Sequence, residues 1–221
     1  MSDPTPDPQD VLKQIRMIEE LARSNPRPSP DLRRLSASLL DLSRWMLTTN
    51  GEASAITTAA DRLEALVEDI EATNPGPSRF TLPLPEEPQE RYINERSTHP
   101  LVGVTNPASP GIAVRVEDGR ILGDVTFDAR FEGNVGWVHG GFVAAGFDII
   151  SVLACRLSGR GGPTGTLSVR YQSPTPIGVP LRYEGDFLRA EGRKLFAEGR
   201  LMRLDDETVT ARSEAIIIAL A

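Results

Sequence analysis

Two features of residues 136–154 could do chemistry. The first is Asp148, a carboxylate inside the apolar run Phe142–Ala154, FVAAGFDIISVLA. A carboxylate in such a setting must be paired, protonated or in use. The second lies just upstream, in Gly136-Trp137-Val138-His139-Gly140-Gly141. Residues 140–158 lack strand alternation and are long enough for a buried helix. The glycines then sit at a strand-to-helix entrance, where the backbone can approach a ligand closely. A helix start presents free N–H groups and the positive end of the dipole, which suits a developing oxyanion. Each feature alone has a plainer reading. Gly140-Gly141 would serve as a turn, His139 as a structural histidine, and Asp148 as a solvated or salt-bridged residue of a helix face. His99 is the second of only two histidines and Cys155 is the lone cysteine. Neither a metal site nor an internal disulfide is expected, and no cofactor is implied.

The elements that must position these residues are legible as periodicities. Residues 1–74 read as helices. The first runs from about Asp7 to Ala22. The second opens with Ser29 as N-cap, Pro30 at the first helical position and Asp31 in the first turn, with the stripe Leu32, Leu35, Leu39, Leu42 and Met46. The third runs from about Ser54 to Ala72, with Ile56, Ala60, Leu63, Val67 and Ile70 on one face. A helical hairpin or small bundle is predicted. Residues 75–90 are proline-dense and read as an extended linker. From 91 to 221 the pattern is that of a second domain. Residues 111–127 alternate around Asp118-Gly119, a hairpin signal. After the apolar helix come strand-like runs at 165–172, 180–190, 194–204 and 207–219, expected as an antiparallel meander. One helix wrapped by an antiparallel sheet is an α+β arrangement.

Charge narrows the partners. Residues 1–90 hold 16 acidic and 9 basic side chains, and residues 91–221 hold 15 of each, so the net charge of −7 belongs to the N-terminal part. No basic face calls for nucleic acid. No apolar run approaches the ~20 residues of a membrane span. The start MSDPTPDPQD lacks the features of a secretory signal, so a cytoplasmic protein is expected.

Together the motifs resemble a known family. His-Gly-Gly with an aspartate nine residues after the histidine, in EGNVGWVHGGFVAAGFD, is similar to hotdog-fold acyl-CoA thioesterases of the PaaI-like branch, in the 4-hydroxybenzoyl-CoA thioesterase superfamily. The block TGTLSVRYQSPTPIGVPLRYEGDFLRAEGRKLFAEGRL resembles the same branch, as does HPLVGVTNPASPG at 99–111. The resemblance spans about residues 97–219 and leaves residues 1–90 outside. Many relatives carry an asparagine six residues before the histidine, where this chain has Gly133, with Asn134 one position on.

The resemblance implies a hotdog fold and hydrolysis of acyl-CoA thioesters. It implies that Gly140 N–H polarises the thioester carbonyl beside His139, and that Asp148 activates water or attacks directly. It assigns Thr164 to orienting the water or Asp148. It places CoA near Gly141, Arg170, Gln172, Arg193 and Lys194, with Arg193 at its hairpin the strongest of these. Trp137, Phe142, Phe147 and Phe131 are candidates for the acyl tunnel and equally for the core. Gly140 and Asp148 are about 12 Å apart along one helix, so one chain cannot present both to one carbonyl. A homodimer with composite sites, or a tetramer built from it, is expected. The alternatives are an acyl-CoA binder without hydrolysis, another enzyme on the same fold, and partner docking by the acidic helical N-terminus.

Overall fold

A computed structural model describes residues 30–73 and 99–220. The predicted first helix, the Ser29 cap and the linker at 75–90 lie outside the described residues. Helix α1 spans Pro30–Thr48, with Pro30 at its head and Asp31 in its first turn. Helix α2 spans Ala53–Thr73. Both follow the predicted periodicity, yet their apolar stripes do not close on each other. Leu32, Leu35, Leu39 and Met46 on α1, and Ile56, Val67 and Ile70 on α2, are all exposed. Instead α1 meets a short 3-10 turn at Ala129–Phe131. An ion pair draws it there: Arg44 Nε and Nη2 donate to Asp128 Oδ2 at 3.0 and 2.9 Å.

The second part is a six-stranded sheet carrying one long helix. Its strands are β1 Ala113–Glu117, β2 Arg120–Val125, β3 Thr164–Tyr171, β4 Leu181–Glu191, β5 Lys194–Arg203 and β6 Val209–Ile218. The helix, α3, spans Gly140–Arg156. Strands β1 and β2 form the predicted hairpin, with positive φ at Asp118 (49°) and Gly119 (77°). That geometry is what an Asp-Gly turn supplies. The strand order is β1-β2-β4-β5-β6-β3, antiparallel throughout. The expected four-strand meander is therefore corrected. Of the four expected strands only β4, β5 and β6 are sequential neighbours; β3 crosses to the far edge beside β6, and β2 takes the place beside β4. Helix α3 lies between β2 and β3 in the chain and must cover the sheet, which pushes the strand after it to the opposite edge.

Helix α3 buries Val143, Phe147, Ile150, Leu153 and Ala154 against the sheet. Its closest approach is at Gly146. A Cβ there would stand 2.3 Å from the Tyr183 ring and hydroxyl. Tyr183 is fully buried, meets Phe147 edge-on at 5.1 Å, and donates its hydroxyl to Val143 O at 3.1 Å. Burial pushes that hydroxyl's pKa well above its ordinary value. The rigid block formed by α3, β4, β5 and β6 fixes where the helix start and Asp148 stand.

Candidate active site

The helix start is built from a knot of main-chain bonds. His139 is the N-cap of α3, with extended backbone (φ −60°, ψ 129°). Its amide donates to Phe131 O at 2.8 Å, and its Nδ1 accepts the Gly141 amide at 3.0 Å. Val138 N donates to Thr175 O at 2.8 Å, tying the entry loop to the loop after β3. The amides of Phe142 and Val143 turn back to His139 O. That leaves Gly140 N–H with no acceptor among the described residues. A helix-start amide of this kind is a ready donor to an anionic oxygen.

Gly140 lines an open cleft of about 510 Å³ together with Asn134, Trp137, Val138, Val143, Tyr171 and residues 172–175. Tyr171 closes one side. Its hydroxyl donates to Gly140 O at 2.7 Å, and its ring lies 3.2 Å from where a Cβ on Gly140 would stand. Tyr171 is a site residue that sequence reasoning passed over. The signal was its place just before the Pro174-x-Pro176 turn, but nothing in the sequence shows which way it points. Of the aromatic candidates, Trp137 is half-exposed at the cleft, Phe131 and Phe147 are core, and Phe142 packs edge-on against Phe131 at 5.0 Å.

Asp148 lies two helical turns on, in the less buried stripe Gly141, Ala144, Ala145, Asp148 and Val152. It is partly buried, and among the described residues it has no hydrogen-bond or ion-pair partner. It does not line the cleft of its own chain. The carboxylate is thus neither salt-bridged nor used to cap anything.

The residues proposed for CoA fall into two groups. Arg170 and Gln172 border a groove on the outer face of the sheet. Arg170 stands directly across from Arg212, and Arg212 across from Arg200. Neither Arg170 nor Arg212 has an ion-pair partner among the described residues, whereas Arg200 bonds Glu184 at 2.8 Å. Like charges directly opposed on neighbouring strands repel, so the unpaired Arg170 and Arg212 favour a bound anion at their end of a groove that Asp186, Glu198 and Glu214 also line. Gln172 borders both this groove and the cleft at Gly140. Arg193 and Lys194 lie at the other end of β6, where Lys194 pairs with Ile218. Six residues of strand, ~20 Å, separate them from Arg170. Arg193 Nε is engaged with Ala219 O at 3.1 Å. One chain does not bring these four together. Thr164 opens β3 at the end opposite Tyr171 and the helix start. Among the described residues, no cluster of histidine, cysteine or acidic side chains is arranged for a metal, and no helix is long and apolar enough to cross a membrane.

The chain is similar in sequence and in fold to known proteins. Residues 135–210 match the model of the thioesterase superfamily. The chain is 29% identical over 91 residues to the acyl-coenzyme A thioesterase THEM4 of Mus musculus, covering 41% of this chain and 39% of that protein. It is 29% identical over 89 residues to the Xenopus laevis THEM4, covering 40% of each. The chain thus spans about two fifths of the length of these relatives. The crystal structure of RHA08564, a thioesterase superfamily protein, superposes with a TM-score of 0.71 at 25% identity, over 86% of this chain and 96% of that one. A helix-wrapping antiparallel sheet with His-Gly-Gly at the helix start gives this chain a hotdog fold, and residues 135–210 of it match the thioesterase superfamily.

Proposed function

We propose that this protein hydrolyses acyl-CoA thioesters to the free acid and CoA. The observation that carries the reading is the pairing on one helix of an unused amide, Gly140 N–H, and an unpaired carboxylate, Asp148. Gly140 N–H would donate to the thioester carbonyl and to the oxyanion that develops from it. Asp148 would take a proton from the attacking water, or attack the carbonyl carbon itself to give an acyl anhydride that water then opens. Collapse of the tetrahedral intermediate breaks the C–S bond, and the CoA thiolate leaves with its electron pair. His139 would act as the cap that fixes the helix start, its Nδ1 already accepting the Gly141 amide. Thr164 would orient the water or the carboxylate.

Eight residues of helix separate the two groups, ~12 Å of rise, against the ~3 Å needed at one carbon. The site is therefore composite: Gly140 of one chain with Asp148 of a second. The stripe of Gly141, Ala144, Ala145 and Val152 around Asp148 is small enough to let a second α3 approach closely. For CoA, the phosphates would lie on Arg170 and Arg212, and the pantetheine arm would pass Gln172 into the cleft.

Thiol release from a panel of acyl-CoAs, wild type against Asp148→Asn, tests the reading. Turnover by wild type and its loss in the variant are expected. Tight acyl-CoA binding with no release by wild type would make the protein a binder instead.

A further inference from the structure

Helix α1 precedes the matched segment and lines no part of the cleft. It nevertheless touches the scaffold of the helix start. Arg44 places Nε and Nη2 on Asp128 Oδ2 at 3.0 and 2.9 Å, and pairs one turn back with Asp41 at 3.4 Å. Asp128 is the N-cap of the 129–131 turn. Its Oδ1 accepts the Arg130 amide at 3.0 Å and Arg130 Nε at 2.9 Å, and its carbonyl accepts Phe131 N at 3.0 Å. Arg130 in turn bonds the Pro107 carbonyl and lies over the Phe131 ring at 4.7 Å. The far side of this turn holds the site: Phe131 O accepts the His139 amide, and the Phe131 ring packs against Phe142 in the first turn of α3. A guanidinium from α1 is thus linked through one capped turn to the residue before Gly140.

The geometry points to Arg44 as a positioning residue: an ion pair from the N-terminal helix, acting through Asp128 and the 129–131 turn, sets the place of the helix start that carries the Gly140 amide. Three observations support it. Asp128 is only 22% exposed while Arg44 is 46% exposed, so the carboxylate sits inside the scaffold and the arginine reaches to it from outside. Burial pushes the Asp128 pKa up, but bonds from Arg130 and Arg44 outweigh it and hold the carboxyl below its ordinary range, so it is ionised at neutral pH. Finally, a half-exposed ion pair contributes little to global stability. Its consequence is local: which way the capped turn, and with it His139 N and Gly140 N, is held. Misplacement of about 1 Å at a reacting group is enough to cost on the order of 100-fold in rate.

The catalytic consequence rests on the hydrolase reading above; the structural one does not. The experiment therefore reads both on the full chain in Arg44→Ala, Arg44→Lys, Asp128→Asn and the double variant Arg44→Ala/Asp128→Asn. Amide exchange is followed in peptides covering 128–142 and, as control, 194–203. Faster exchange in Arg44→Ala confined to 128–142 is expected, with Arg44→Lys intermediate and the double variant no faster than the worse single one. With acyl-CoA, kcat is expected to fall roughly 10-fold with KM within about twofold. Unchanged exchange at 128–142, or exchange raised equally in β5, overturns the proposal. Local exchange with kcat untouched overturns the catalytic half of it. A wild type without thioesterase activity sinks the hydrolase reading and leaves the exchange result to decide the role of Arg44.

Discussion

Tyr171 and Gly140 are joined across 31 residues by a 2.7 Å hydrogen bond from the phenol hydroxyl to the helix-start carbonyl. The bond ties the end of β3 to the first residue of α3. It also holds in place a cleft residue whose amide has no acceptor among the described residues. Tyr171→Phe keeps the ring and removes the bond. We expect kcat to fall about 3–10-fold, in line with loss of one hydrogen bond of ~1 kcal/mol, with little change in melting temperature. A kcat equal to wild type would show that the tyrosine only packs.

Gly140→Pro removes the amide, with the Tyr171 ring giving by a few tenths of an ångström to admit a Cβ at 3.2 Å. Proline is well tolerated at the first helical position, and the residue before it, His139, already has the extended backbone that proline demands. The helix should form while the donor is gone. Loss of one oxyanion donor corresponds to about 100–1,000-fold in kcat. Measured turnover within twofold of wild type would remove Gly140 from the chemistry.

Gly146→Ala separates packing from catalysis. An alanine gains about 1 kcal/mol of helix propensity over glycine. Here its Cβ would sit 2.3 Å from a buried Tyr183 ring that has no room to move. Overpacking costs about 1–3 kcal/mol, so we expect net destabilisation in a denaturant melt. A gain in stability would mean that the α3–β4 contact is looser than described.

Arg212→Ala tests the arginine row. Arg212 stands between Arg170 and Arg200 and has no ion-pair partner among the described residues. Its loss should raise KM for acyl-CoA about 3–10-fold and flatten the dependence of KM on salt, because a phosphate contact is screened by ions. Arg193→Ala, with its Nε held by Ala219 O, should change KM less. The reverse ranking would move the phosphates to the other end of the sheet.

Much of the scaffold was legible because it obeys local rules. The Asp118-Gly119 turn, the Pro30 helix start and the apolar run of α3 each carry their own backbone preference or period. Gly140 and Asp148 could be singled out because His-Gly-Gly and the aspartate nine residues after the histidine together resemble a family motif, though each alone has a plainer reading. Strand order was not legible, since alternation says which residues share a face and nothing about which strand is next. Hence β3 was expected beside β4 and lies beside β6. The same gap hid the Arg170–Arg212–Arg200 row and grouped Arg193 with Arg170. Tyr171 was missed because its bond to Gly140 depends on a contact spanning 31 residues. The open leucine stripe of α1 shows the opposite limit, a clear helical period with no information on what it meets.

The central claim is that one chain's Gly140 works with another chain's Asp148. Purified Asp148→Asn and Gly140→Pro chains, each inactive alone, can be mixed and the heterodimer isolated with two different tags. A heterodimer holds one intact composite site of two, so thiol release should return to about half the wild-type rate per dimer. Isolated heterodimers no more active than their parents would contradict the account.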